Sequence, residues 1–147
     1  MNPEKPIRIT ISRKIAFSCG HRYAREDWTE EKNREIYGSL YAPKGFGHNF
    51  VLEASIEGVM DKETGMVVNL RDLDSILKET VAPLDHHFLN TDVEFFKEKV
   101  PTSENIAAYC FDEIQRRIQW PDVSLKRVRL LEGSEFWVEV EAGTDQS

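Results

Sequence analysis

From Ile7 the chain alternates between apolar and polar side chains up to His21, the period-two signature of a half-buried strand. Ile7, Ile9, Ile11, Ile15, Phe17, Cys19, His21 and Tyr23 share one face, interrupted at Arg13. Arg8, Thr10, Ser12, Lys14, Ser18 and Arg22 share the other. Gly47–Met60 repeats the pattern, with His48, Phe50, Leu52, Ala54 and Ile56 on its apolar side. Between the two, Ala24–Gly45 is charged and mixed, so it reads as a long excursion with one helical turn around Glu30–Tyr37. Asp61–Gly65 is a turn, and Met66–Asn69 reads as an extended hairpin return.

The period then changes. Asn69 with Asp72 resembles a capping box, and Leu70, Leu73, Ile76, Leu77 and Val81 follow at helical spacing up to the stop before Pro83. Thr91–Val100 reads as loop and a helical turn. Thr102 or Ser103 caps a second helix whose buried stripe is Ile106, Tyr109, Cys110, Ile114 and Ile118. Ser124–Glu132 and Phe136–Glu141 form a closing hairpin, and Thr144–Ser147 a frayed tail. The order β-β-α-α-β-β, with no repeat or linker, predicts one α+β domain over residues 1–147, two helices against an antiparallel four-stranded sheet.

Composition narrows the function classes. The net charge is −7, which argues against nucleic acid as the main partner, although a local basic cluster can still receive an anionic small molecule. No apolar run approaches the ~20 residues needed to span a bilayer, so no membrane partner is expected. Met1–Pro6 is polar and no signal-peptide core follows it. Two cysteines, Cys19 and Cys110, make no disulfide framework, which fits a reducing cytoplasm.

Four histidines carry the candidate chemistry. His21 and His48 stand at the ends of the two long strands, on their apolar faces. There they are either metal ligands or satisfied polar residues at a strand end. Cys19 lies on the same face as His21 and is a candidate third ligand or base, because a catalytic zinc normally takes three protein ligands and an open position. Asp85 and His86 form either an acid–base pair, the carboxylate fixing the imidazole tautomer, or a simple cap. Glu132 ends the apolar row Val128, Leu130, and burying a carboxylate is costly without a partner. The partner is either a ligand with two adjacent N–H donors or a nearby arginine such as Arg127 or Arg129.

Together, Phe17–Tyr23 (FSCGHRY), Gly47–Phe50 (GHNF), Asp61–Leu73 (DKETGMVVNLRDL), Pro83–Asn90 (PLDHHFLN), Pro101–Asn105 (PTSEN) and Leu131–Glu132 resemble the 6-pyruvoyltetrahydropterin synthase / 6-carboxytetrahydropterin synthase family. The wording around Asp85 and Thr102 is similar to the bacterial carboxytetrahydropterin branch used in queuosine synthesis. The resemblance implies the tunnelling fold, homohexamers built from two trimers, and active sites between subunits. It implies a zinc ion held by His21, His48 and one further histidine, acting on 7,8-dihydroneopterin triphosphate. It also implies proton transfer supported by Asp85 and His86, and a pterin ring anchored by Glu132 with help from Thr102, Ser103 and Glu104.

Two departures stand out. The family's H-G-H is here Phe46-Gly47-His48, and Ala24–Gly45 lacks the cysteine that serves as general base. Three readings follow. The first is a lyase with a rebuilt site, in which Cys19 replaces the third ligand or the base, or Glu35 becomes the base. The second is an enzyme of altered chemistry on a related pterin. The third is a non-catalytic pterin-binding or regulatory paralogue.

Overall fold

A computed structural model describes residues 6–143; the polar start of the chain and the tail at 144–147 lie outside them. The elements run β1 (Arg8–His21), α1 (Glu30–Tyr37), β2 (Phe46–Val59), α2 (Leu70–Val81), the single turns α3 (Leu89–Asp92) and α4 (Phe95–Glu98), α5 (Ser103–Arg117), β3 (Ser124–Glu132) and β4 (Phe136–Glu141). The strands form one antiparallel sheet in the order β1-β2-β3-β4. This is the α+β arrangement expected from the alternation of periods.

One face of the sheet is covered by helices. α2 packs against β1 and α5, and α5 lies over β3 and β4. Leu73, Ile76, Leu77 and Val81 of α2 and Ile106, Ala107, Cys110, Phe111 and Ile114 of α5 meet Phe50, Leu52, Ala54, Ile56, Val128 and Leu130 of the sheet. Each fully buried Leu, Ile or Phe contributes about 1.5–3 kcal/mol of transfer free energy, so this layer sets the register of the sheet. Arg13, which interrupts the apolar row of β1, is exposed and reaches across to Asp74 of α2 at 2.8 Å. On the opposite face Lys14, Glu53, Arg129 and Glu139 form a row, one residue per strand, with contacts of 3.8, 3.6 and 3.0 Å.

Helix starts follow local chemistry. Asn69 accepts the Arg71 N–H and Thr102 the Asn105 N–H, so each caps its helix. Met66–Asn69 is not the hairpin return that its extended pattern predicts. Asp61 folds the turn by accepting the Glu63 and Thr64 N–H groups, Gly65 turns at φ 74°, and Val68 enters the core rather than pairing. Among the described residues no helix is long and apolar enough to cross a membrane.

Candidate functional site

The ends of β1, β2 and β3 converge beside the N-terminus of α5. Antiparallel register sets His21 opposite Phe46, Cys19 opposite His48, and Phe50 opposite Glu132. His21, Phe46, His48 and Phe50 therefore form one aromatic cluster on the covered face, with His21 ring centroids 4.7 Å from Phe46 and 5.1 Å from His48. His21 is fully buried, while the side chains of His48 and Glu132 retain 30% and 24% exposure, so the cluster has a wet end and a dry end.

A continuous hydrogen-bond chain runs through it. His21 Nδ1 lies 2.7 Å from the Pro101 carbonyl and its Nε2 lies 2.8 Å from His48 Nδ1. His48 Nε2 lies 2.7 Å from Glu132 Oε1, and the Ser103 hydroxyl donates to Glu132 Oε2 at 2.9 Å. A carbonyl only accepts, so the proton of His21 sits on Nδ1 and its Nε2 accepts from His48 Nδ1–H. Burial, first of all, holds the His21 pKa below the ordinary value, which fits this neutral tautomer. The short contact between His48 and Glu132 closes the chain at its more exposed end.

The zinc implied by the family resemblance finds a poor fit here. The lone pair of His21 that a metal needs is already accepting from His48, and the other nitrogen of His48 faces Glu132. Phe46 brings no lone pair. Cys19 occupies the face expected from its alternation, but it is 5% exposed within the core. Burial, and then the Asp85 carboxylate, push its thiol up to about 12, which opposes the thiolate needed for ligation or base catalysis. Among the described residues no three His, Cys, Asp or Glu side chains group as a metal set, so the proposed His21–His48–Cys19 triad is not formed.

Pro83–Asn90 has a different job in the protomer. It docks along the outer edge of β1. Asp85 Oδ1 accepts the Ser18 N–H, the His86 N–H donates to the Ser18 carbonyl, and the Gly20 N–H donates to the His87 carbonyl. Asn90 pairs with both backbone groups of Arg22 at 2.8 Å. Phe88 packs over Gly20, where an added Cβ would come within 3.1 Å of its ring. His86 adopts φ 61°, its side chain is 83% exposed, and Nε2 stands 3.6 Å from Asp85, beyond hydrogen-bond range. The structure therefore keeps Asp85 as a backbone tie and leaves the acid–base contact with His86 unmade.

The remaining candidates separate in the same way. Ser103 joins the chain through Glu132 and is 1% exposed; Thr102 spends its hydroxyl on capping α5, and Glu104 is exposed in the first turn of that helix. Glu35 is exposed on α1, outside the cluster. Arg127 and Arg129, the alternative partners weighed for Glu132, lie elsewhere along β3, and Arg129 contacts Glu53 and Glu139. Sequence reasoning did not find the Pro101 carbonyl or Tyr23, whose hydroxyl accepts the Ser103 N–H at 3.3 Å. A backbone acceptor leaves no residue-type signal, although Tyr23 continues the apolar alternation of β1.

Comparison with known proteins agrees with this architecture. The family model described as 6-pyruvoyl tetrahydropterin synthase matches residues 10–143. The chain belongs to the 6-pyruvoyl tetrahydropterin synthase family. It is 38% identical to 6-pyruvoyl tetrahydrobiopterin synthase of Pongo abelii over 83% of each chain. It is 33% identical to dihydroneopterin monophosphate aldolase of Pyrococcus furiosus over 92% of this chain and 99% of that one. The solved structure of the Caenorhabditis elegans 6-pyruvoyl tetrahydropterin synthase superposes with a TM-score of 0.88 at 31% identity, covering 94% of this chain and 98% of that one.

Proposed function

We propose that the protein receives a phosphorylated dihydropterin, with 7,8-dihydroneopterin triphosphate as the first candidate, and acts as a side-chain lyase, by elimination of phosphate or by side-chain cleavage. The observation that carries this reading is the Glu132 carboxylate, partly buried at the end of an apolar row and oriented by Ser103 on one oxygen. A pterin offers an adjacent N–H pair along its pyrimidine edge, and a carboxylate held in this way accepts such a pair bidentately. Relatives named 6-pyruvoyl tetrahydrobiopterin synthase and dihydroneopterin monophosphate aldolase support the reading.

When a ligand takes Oε1 of Glu132, His48 is released at Nε2 while Nδ1 still donates to His21. The freed imidazole becomes the acid–base group nearest the ring, a role worth ~10²–10⁴ in rate when geometry is right. No step here runs through zinc. Among the described residues both outer strands of the sheet keep open edges, β1 being covered by Pro83–Asn90 only near its end, and such edges invite pairing. We take a homohexamer of two trimers, in a cytoplasmic setting, as part of the same reading; in it, exposed His86, Glu104 and Glu35 would be available to a neighbouring subunit.

Binding of 7,8-dihydroneopterin triphosphate, followed by ligand fluorescence, tests the reading. Wild type should bind and Glu132→Ala should lose at least about 100-fold in affinity, about 2.7 kcal/mol. Equal binding by both proteins would overturn the anchor. The absence of a loop cysteine favours a second reading, a pterin-binding paralogue without turnover. Product formation from bound substrate separates the two.

A further inference from the structure

We infer that the joined ends of β1, β2 and β3 carry a hydrogen-bonded His21–His48–Glu132 unit in place of a metal centre, and that Phe46 fills the position from which a third imidazole would complete one. The donors and acceptors of this unit are already committed to one another. His21 has one lone pair free of the backbone, and it accepts from His48 at 2.8 Å. His48 spends its second nitrogen on Glu132 at 2.7 Å, and Glu132 spends its second oxygen on Ser103 at 2.9 Å. A cation entering between the imidazoles must therefore break two short hydrogen bonds and turn the His48 ring.

Phe46 settles the balance. Its ring lies 4.7 Å from that of His21 and 5.1 Å from that of His48, centroid to centroid, so it touches both. A phenyl group there gives a cation no electron pair and presents apolar surface to both imidazoles. Two imidazoles already bonded to one another do not hold a divalent ion firmly. Disturbing only the partners of metal ligands weakens binding ~10–100-fold, and loss of a ligand itself costs more. The residues needed to restore such a site are nevertheless in place. The geometry predicts that one substitution, Phe46→His, converts the unit into a three-imidazole zinc site.

Metal content decides this independently of any pterin, so its failure is distinguishable from failure of the proposed function. The full-length protein is purified without chelator, exposed to excess zinc chloride, desalted, and assayed for zinc per chain by atomic emission. Wild type should retain well below one zinc, Phe46→His close to one, and Phe46→His with His48→Ala again well below one. One zinc per chain in wild type would overturn the inference. A folded Phe46→His protein that retains none would overturn the placement of residue 46. Should that variant fail to fold, long-range proton–nitrogen NMR of the wild-type histidines decides. Side-chain signals of His21 and His48 unmoved by one equivalent of zinc, with His21 protonated at Nδ1, support the inference; stoichiometric zinc-dependent shifts overturn it.

Discussion

The two histidine pairs of this chain have opposite environments. His21 and His48 are far apart in sequence, yet β1–β2 pairing brings their rings to hydrogen-bond contact at 2.8 Å. His86 and His87 are adjacent in sequence and share no contact of that kind: His86 is exposed with a left-handed backbone, and His87 Nδ1 pairs with the Asp85 carbonyl. In the first pair the side chains are the structure, whereas in the second the backbone is, since the His86 N–H and the His87 carbonyl hold the segment on the edge of β1. Neighbouring positions along a chain diverge in direction, while cross-strand partners converge on one face. Proximity in sequence is thus the poorer guide to shared chemistry.

This contrast can be broken from either side. The largest effect belongs to His21→Ala, which removes a fully buried ring and leaves the Pro101 carbonyl without its donor. We expect a loss of about 2–4 kcal/mol in unfolding free energy, read from urea denaturation. A loss below about 0.5 kcal/mol would show that the chain of bonds does not hold the site together. Asp85→Ala deletes the acceptor of the Ser18 N–H and should cost about 1–3 kcal/mol, whereas His86→Ala should change stability by less than about 0.5 kcal/mol.

His86→Gly should stabilise the protomer, by up to about 1 kcal/mol, because glycine adopts φ 61° without the Cβ penalty. A drop in melting temperature would refute the backbone account of this residue.

pH sharpens the same comparison. Burial lowers the His21 pKa, so the unfolded chain takes up a proton at this position more readily than the folded one. The stability His21 contributes is fully present above its unfolded pKa of about 6.5 and is lost as pH falls through the lower folded value. Wild type should therefore lose more stability between pH 7.5 and 5.5 than His21→Phe, in parallel urea titrations. The smallest effect concerns reactivity. Cys19 and Cys110 are buried, with thiols pushed up by desolvation, so neither should react with a thiol reagent at neutral pH until the protein is unfolded. Rapid labelling of native Cys19 would reopen its candidacy as a nucleophile or base.

Much of the architecture was legible without coordinates. Period two located β1 and β2 within a residue or two, period 3.6 gave α2 and α5, and the capping role of Asn69 followed from its chemistry, whereas the choice of Thr102 over Ser103 for α5 came only from the structure. The family was legible too, in the spacing of its motifs. These features depend on local geometry and on which face is buried, both of which are written in residue order. Met66–Asn69 failed the same test because extended backbone does not imply a partner strand.

What only the tertiary structure decided was who meets whom at the strand ends. Alternation placed Cys19, His21 and His48 on one face but could not rank them. Packing buried the thiol and turned His48 towards Glu132, and it closed the remaining side with Phe46. The Pro101 carbonyl, which fixes the tautomer of His21, is invisible in any sequence pattern because every residue carries one. A side chain's identity thus fixed what each group is able to donate or accept. The fold alone, by setting distances between strands and the start of α5, determined where those protons and lone pairs were spent.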